Sequence, residues 1–163
     1  MTILMPRGMP RGTTQTAQYL DRASQTIAQH FHHSIAFGKQ TVYSELAMVW
    51  NECCVPGWDG YEAIAVAPRT LRNALAVIQA LPVDYPMPSV GAEADGALTL
   101  EWYRHPRWLL SVSISPEGML YYAALFGNRD VRGAEPFLGT VPQSILDLIQ
   151  RVYLYLASEH ACP

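Results

Sequence analysis

The chain has 163 residues, half of them hydrophobic and only 15% charged, with a net charge of −3 and a pI near 5.9. That length suits one domain able to bury roughly two thirds of the surface its unfolded form exposes, with no need of a metal or disulfide framework. The composition is that of a globular rather than a disordered chain, and the lack of basic excess argues against nucleic acid as a partner.

The first dozen residues repeat Met5-Pro6-Arg7-Gly8 as Met9-Pro10-Arg11-Gly12. Proline and glycine at this density predict a flexible arm over residues 1–13, ahead of a single domain over 14–163. The arm reads either as a basic tether for an acidic partner surface or as a plain disordered start. It has no continuous apolar core of the signal-peptide kind, and no later stretch approaches the ~18 apolar residues of a membrane span. Cys53, Cys54 and Cys162 are odd in number with two adjacent, which fits free thiols better than a disulfide framework. The expectation is a soluble cytoplasmic protein with no membrane partner.

From Thr14 to about His33, Ala17, Leu20, Ala23, Ile27 and Phe31 recur at three- and four-residue steps, which predicts an amphipathic helix capped by Thr13 or Thr14. A break over Ser34–Gln40, containing Gly38, separates it from a second helix over Thr41–Cys54, so that 14–54 forms a helical hairpin. Val42, Leu46, Val49, Trp50 and Cys53 give the second helix a core-facing stripe. The loop Val55-Pro56-Gly57-Trp58-Asp59-Gly60-Tyr61 stops it. A third helix follows over Pro68–Leu81, with Leu71, Leu75, Ile78 and Leu81 on one side and Pro68 at its first position. Ala67 is a poor cap, so that start must be held by tertiary contacts.

After the proline-rich link Pro82–Pro88, residues 88–139 read as an antiparallel meander of four or five strands. Asp95-Gly96 divides Ser89–Glu93 from Ala97–Tyr103, Ser115-Pro116-Glu117-Gly118 divides Trp108–Ile114 from Met119–Phe126, and Gly127-Asn128-Arg129-Asp130 precedes a last run to Phe137. Leu98, Leu100 and Trp102, with Trp108, Leu110, Val112 and Ile114, mark the core face. Met119–Phe126 is apolar or aromatic on both faces, Tyr121 beside Tyr122, which predicts a strand that is central or covered on both sides. A C-terminal helix within 140–158 follows, with Thr140-Val141-Pro142-Gln143 as a capping box and Ile145, Leu148, Ile149, Val152 and Leu156 as its apolar face. The fold class is therefore α+β: helices before a four- to five-stranded antiparallel meander, closed by a C-terminal helix.

Chemistry-bearing motifs are few. His30 and His33 share a helical face, and with Cys53 or Cys54 they make a candidate zinc set, or else a polar helix end whose histidines complement its carbonyls. A thiol nucleophile at Cys53 or Cys54, with His105 as base and Asp59 as orienter, has no local support, because Cys53 lies on the core stripe. Asp59 with Glu62, or Glu93 with Glu101, are the available carboxylate pairs for hydrolytic acid–base work. Phosphate loops, dinucleotide fingerprints and Gly-x-Ser-x-Gly elbows are absent, so no catalytic residue and no cofactor are predicted.

The most distinctive local motif is Trp58-Asp59-Gly60-Tyr61-Glu62. One reading makes Trp58, Asp59 and Tyr61, together with Tyr121, a recognition surface, because rigid aromatics give large contact area at low entropy cost. The other is structural: Asp59 accepts backbone N–H bonds, Gly60 takes a positive φ, and both rings plug the junction of helix and sheet.

Trp58-Asp59-Gly60-Tyr61, the Pro68–Leu81 helix, Leu100-Glu101-Trp102, Tyr121-Tyr122-Ala123-Ala124-Leu125-Phe126-Gly127 and the Pro142–Tyr153 helix together resemble a family of small bacterial proteins without an assigned activity, some in mobile or defence-like gene neighbourhoods. The resemblance covers about Trp50 to Tyr153 and implies the fold but no catalytic residue. The function expected is that of a non-enzymatic protein-binding or regulatory protein of the antitoxin, immunity or anti-defence kind, with a protein partner or self-association. The alternative is a small metal-dependent hydrolase using His30 and His33, or Asp59 and Glu62.

Overall fold

The computed structural model describes residues 38–154, and the chain there is α+β. Helix α1 runs over 38–53 and α2 over Pro68–Ala80. Five strands follow, β1 (Ser89–Ala92), β2 (Leu98–His105), β3 (Trp108–Ile114), β4 (Met119–Phe126) and β5 (Arg129–Pro136), and helix α3 (Gln143–Leu154) closes the order. The strands form one antiparallel sheet in the order β1-β2-β3-β4-β5, a plain meander in which each short turn sets the next register. Among the described residues no helix is long and apolar enough to cross a membrane. The arm, the Thr14–His33 helix and the histidine cluster lie outside the described residues.

One face of the sheet carries the core. Leu98, Leu100, Trp102, Leu110, Val112, Ile114, Leu120, Ala124 and Phe126 alternate along β2 to β4 and are buried in one cluster with Val42, Leu46 and Cys53 of α1, Ala74, Val77 and Ile78 of α2, and Ile145, Leu148, Ile149 and Val152 of α3. Trp102 is fully enclosed, and its indole N–H donates to the Pro86 carbonyl (2.8 Å), which fixes the proline-rich link against the sheet. Large buried side chains of this kind contribute about 1.5–3 kcal/mol each. At the β1 edge the Val90 N–H, which has no strand to pair with, donates to Glu45 Oε1 of α1 (3.0 Å). Edge strands left unpaired template aggregation, and here a helix side chain covers the donor.

Three expectations are corrected. Residues 38–40 are helical, so the break does not extend to Gln40; Lys39 Nζ donates to the carbonyls of Gln79 and Leu81 (3.0 Å each), tying the start of α1 to the end of α2. The buried stripe of α2 is Thr70, Ala74, Val77, Ile78 and then Leu81, while Leu75 faces out, because α2 presents its small residues to the sheet and turns one step from the leucine repeat. The capping box does not form, since Gln143 Nε2 donates forward to Asp147 Oδ1 (2.7 Å) instead of reaching back to Thr140. Of the two alternatives for β4 the first holds, since it lies inside the sheet between β3 and β5, while Tyr121 and Leu125 on its outer face remain exposed.

Candidate functional site

The Trp58-Asp59-Gly60-Tyr61 segment is a tight loop built around its aspartate. Asp59 Oδ1 accepts from the backbone N–H groups of Tyr61 (2.9 Å) and Ala63 (3.3 Å), the Asx pattern by which a carboxylate mimics a backbone turn. Gly60, at φ 82°, occupies the left-handed region that side chains disfavour. The Gly57 N–H donates to the Ala63 carbonyl (2.8 Å) and the Gly60 N–H to the Gly57 carbonyl (3.0 Å), closing the loop on itself. Two further bonds anchor it: Ile64 N–H to the Ala94 carbonyl (2.7 Å) in the turn after β1, and Val66 N–H to the Cys53 carbonyl (2.8 Å) at the end of α1.

The two rings of the motif part company. Trp58 is half-buried against the core and its indole N–H donates to the Ile64 carbonyl (3.2 Å), so this ring does plug the junction. Tyr61 does not, because it is 86% exposed, with Ile64 beside it at 60%. The expectation that both rings are structural is therefore half right: Trp58 and Asp59 hold the loop, and Tyr61 is what the loop holds out. Glu62 is also exposed, and Asp59 is engaged by the loop's own amides, so the two acids form no buried acid–base pair.

Tyr121 lies elsewhere, on the face of the sheet opposite the core. Across β2 to β5 the register aligns three rows of side chains on that face: Glu101, Ser111, Ala123 and Arg132; Tyr103, Leu109, Leu125 and Asp130; and Thr99, Ser113, Tyr121 and Ala134, with Ser89 and Gly91 of β1 outside Glu101 and Thr99. Tyr103 is 53%, Tyr121 51% and Leu125 38% exposed, and no hydrophobic side chain on this face is buried. The Glu93 carboxylate lies over one end, accepting from the hydroxyls of Thr99 and Ser113, which removes it from any pairing with Glu101. At the other edge Arg132 Nε and Asp130 Oδ2 pair at 3.2 Å, both exposed.

A groove of about 260 Å³ lies between the proline-rich link and α3, lined by Asp84, Tyr85, Pro86, Gln150 and Tyr153. Gln150 Nε2 donates to the Tyr85 hydroxyl (2.6 Å) across it, and the Arg104 guanidinium stands 5.8 Å from the Tyr153 ring centre. Burial pushes the Tyr153 phenol above its ordinary pKa, and Arg104 pulls in the opposite direction. Cys53 is buried, and burial first, then Glu52 and Cys54, raise its thiol pKa, which is the reverse of what a nucleophile needs. Among the described residues no three His, Cys, Asp or Glu side chains come together in a set able to hold a metal ion.

Comparisons with models of protein families, with curated proteins and with solved structures return no match to the chain. The site is thus defined by its own geometry. The sequence singled out Trp58, Asp59, Tyr61 and Tyr121 as candidates; Ile64, Tyr103, Leu125 and Arg132, exposed in the same regions, carry no motif that would mark them. The two-residue period of β4 already placed Tyr121, Ala123 and Leu125 on one face, and counting its partners across the turns would have found the rest.

Proposed function

We propose that this chain is a non-enzymatic protein-binding or regulatory protein that acts by occluding a partner protein's surface, in the manner of an antitoxin, immunity or anti-defence protein. The observation that carries the reading is Tyr61: a large aromatic side chain almost fully in solvent, on a loop fixed by its own aspartate, two internal backbone bonds and two anchors to the rest of the fold. Ordering a flexible loop on binding is costly, so a loop already ordered before contact keeps more of its interaction energy. Tyrosine is among the residues that dominate such contacts, because its ring covers area with few rotors to fix.

The test is gentle purification of the full chain from its own host and native mass spectrometry, wild type beside Tyr61→Ala. A heteromeric mass in the wild type that weakens about tenfold or more in a folded Tyr61→Ala variant is the expected result. A partner retained by Tyr61→Ala with undiminished affinity would remove the loop from the interface and the reading with it.

A further inference from the structure

The face of the sheet that no described element covers has a pattern that its own register makes legible. In the first row Glu101 stands on β2 at one side and Arg132 on β5 at the other, with only Ser111 and Ala123 between them. In the second row Tyr103 on β2 is matched by Asp130 on β5, with Leu109 and Leu125 between. The third row sets Thr99 against Ala134 around Ser113 and Tyr121. β1 extends two of these rows beyond β2, with Ser89 beside Glu101 and Gly91 beside Thr99, so it is the β2–β5 part of each row whose midpoint falls between β3 and β4, and there the first row sets an acid against a base.

We propose that this face binds the same face of a second copy of the chain, the two sheets stacking about a two-fold axis that runs along the strands between β3 and β4. Such an axis keeps every row in place and reverses its order. Glu101 then meets Arg132 of the second copy, Tyr103 meets Asp130, Leu109 meets Leu125, and Tyr121 meets the Ser113 position, where the Glu93 carboxylate accepts from Ser113 and Thr99 and can take the Tyr121 hydroxyl as a further donor, each contact occurring twice as a two-fold interface requires. Sheets stacked with their strands aligned in this way lie about 10 Å apart with side chains interdigitating.

Charge selects this arrangement over its obvious rival. An axis running across the strands would place Glu101 on Glu101 and Arg132 on Arg132, a like-charge juxtaposition that interfaces avoid. The free groups are suited to the favoured one. Glu101 carries a carboxylate without a partner among the described residues, and Arg132 is bonded to Asp130 through Nε, which leaves the terminal nitrogens of its guanidinium to take a second carboxylate. Arg132 stands on the edge strand β5 and Glu101 on β2, with Ser89 of β1 outside it, and Leu109, Leu125 and Tyr121 lie between the two charges. Four strands at ~4.8 Å spacing put the outer axes of β2 and β5 about 14 Å apart, a small footprint, so association on the order of micromolar is expected.

The test is sedimentation velocity of the full chain across the micromolar range, on the wild type and on Glu101→Arg and Arg132→Glu separately. The wild type should dimerise, and each variant, folded by its thermal midpoint, should raise the dissociation constant at least about tenfold. Mixed in equal amounts, the two variants should form a heterodimer. The arginine introduced by Glu101→Arg in one copy then faces the glutamate introduced by Arg132→Glu in the other, and the second contact keeps its native pair. A wild type that stays monomeric overturns the proposal. So does a dimer indifferent to Glu101→Arg, or a mixture that fails to reassociate. Tyr61 is not on this face, so Tyr61→Ala should leave the dimer intact, which separates this result from the fate of the partner-binding reading.

Discussion

The phenol of Tyr122 lies across Gly133 of the neighbouring strand so closely that a Cβ at position 133 would overlap its Cζ and hydroxyl oxygen and stand 2.9 Å from its Cε1. The ring is held there from its far end: the Tyr122 hydroxyl donates to Glu135 Oε1 (3.3 Å), which also accepts from the Ser144 hydroxyl at the start of α3. Glycine thus stands in the middle of β5 because a cross-strand ring occupies the space its side chain would need. Tyr122, Gly133, Glu135 and Ser144 tie β4, β5 and α3 into one unit.

Gly133→Ala should therefore destabilise the protein, although alanine in a strand is ordinarily about 0.5–1 kcal/mol better than glycine. The displaced ring and its weakened bond to Glu135 outweigh that gain, for a net loss of about 1–2 kcal/mol. Urea denaturation of the single and double variants is the check. In a Tyr122→Ala background the same Gly133→Ala change should become neutral or stabilising, and a cost that persists there would show that the ring is not its cause.

Thr70 gives a change of opposite sign. It is fully buried in α2, and its hydroxyl has no hydrogen-bond partner among the described residues. A buried hydroxyl without a partner costs about 1–3 kcal/mol relative to its hydrated state, whereas valine fills nearly the same space without that penalty. Thr70→Val should raise stability by about 1 kcal/mol and the thermal midpoint by about 3 °C. Thr70→Ser, which keeps the hydroxyl and removes a methyl group, should lower it by about 1 kcal/mol.

How much of this was legible in the sequence depends on what fixes each feature. The sheet was legible nearly to the residue, with Trp108–Ile114 and Met119–Phe126 found at their observed bounds, because two-residue alternation and Asp-Gly or Pro-Glu-Gly turns are local signals. The burial stripe of α2 was not, because leucine spacing cannot say that Ala74 and Thr70 meet the sheet while Leu75 does not. For the candidate site, the Asx bonds of Asp59 and the positive φ of Gly60 followed from residue type, yet nothing local distinguishes the half-buried Trp58 from the exposed Tyr61 three residues on. The rows of the sheet face opposite the core needed the register of four strands at once. The family resemblance and the histidine pair at His30 and His33 rest on the sequence alone.

The buried thiol predicts an alkaline limit to stability. Cys53 has its pKa raised above the ordinary 9.0 by burial, then by Glu52 and Cys54. The folded state thus holds the thiol proton more tightly than the unfolded chain does. Its contribution is complete below about pH 9 and is lost as pH rises through the higher folded value, by no more than about 1.4 kcal/mol per pH unit for one group. Tyr153, raised above 10.0 by burial with Arg104 opposing, extends the same trend further into the alkaline range. Urea midpoints measured from pH 7 upward should fall above about pH 9 in the wild type and fall less steeply in Cys53→Ala, whatever that variant's stability at neutral pH.

Asp59 separates the loop's frame from its exposed ring. Its Oδ1 satisfies two amides, and one of them belongs to Ala63, a buried residue. Asp59→Ala leaves both donors without that acceptor and should cost about 1–3 kcal/mol, with faster amide exchange at Tyr61 and Ala63. Asp59→Asn keeps a carbonyl oxygen at the same distance from the backbone and should restore most of the protection, because the bonds need an acceptor more than a charge. Tyr61→Ala, by contrast, should change stability by less than about 0.5 kcal/mol, since an exposed ring contributes little to the fold. Hydrogen exchange on the three variants checks the set: protection lost in Asp59→Ala, largely kept in Asp59→Asn and unchanged at Ala63 in Tyr61→Ala is the pattern of a loop ordered by its carboxylate, with the Tyr61 ring outside that frame. Equal protection at Ala63 in Asp59→Ala would mean that the Gly57–Ala63 and Ile64–Ala94 backbone bonds hold the loop without the carboxylate.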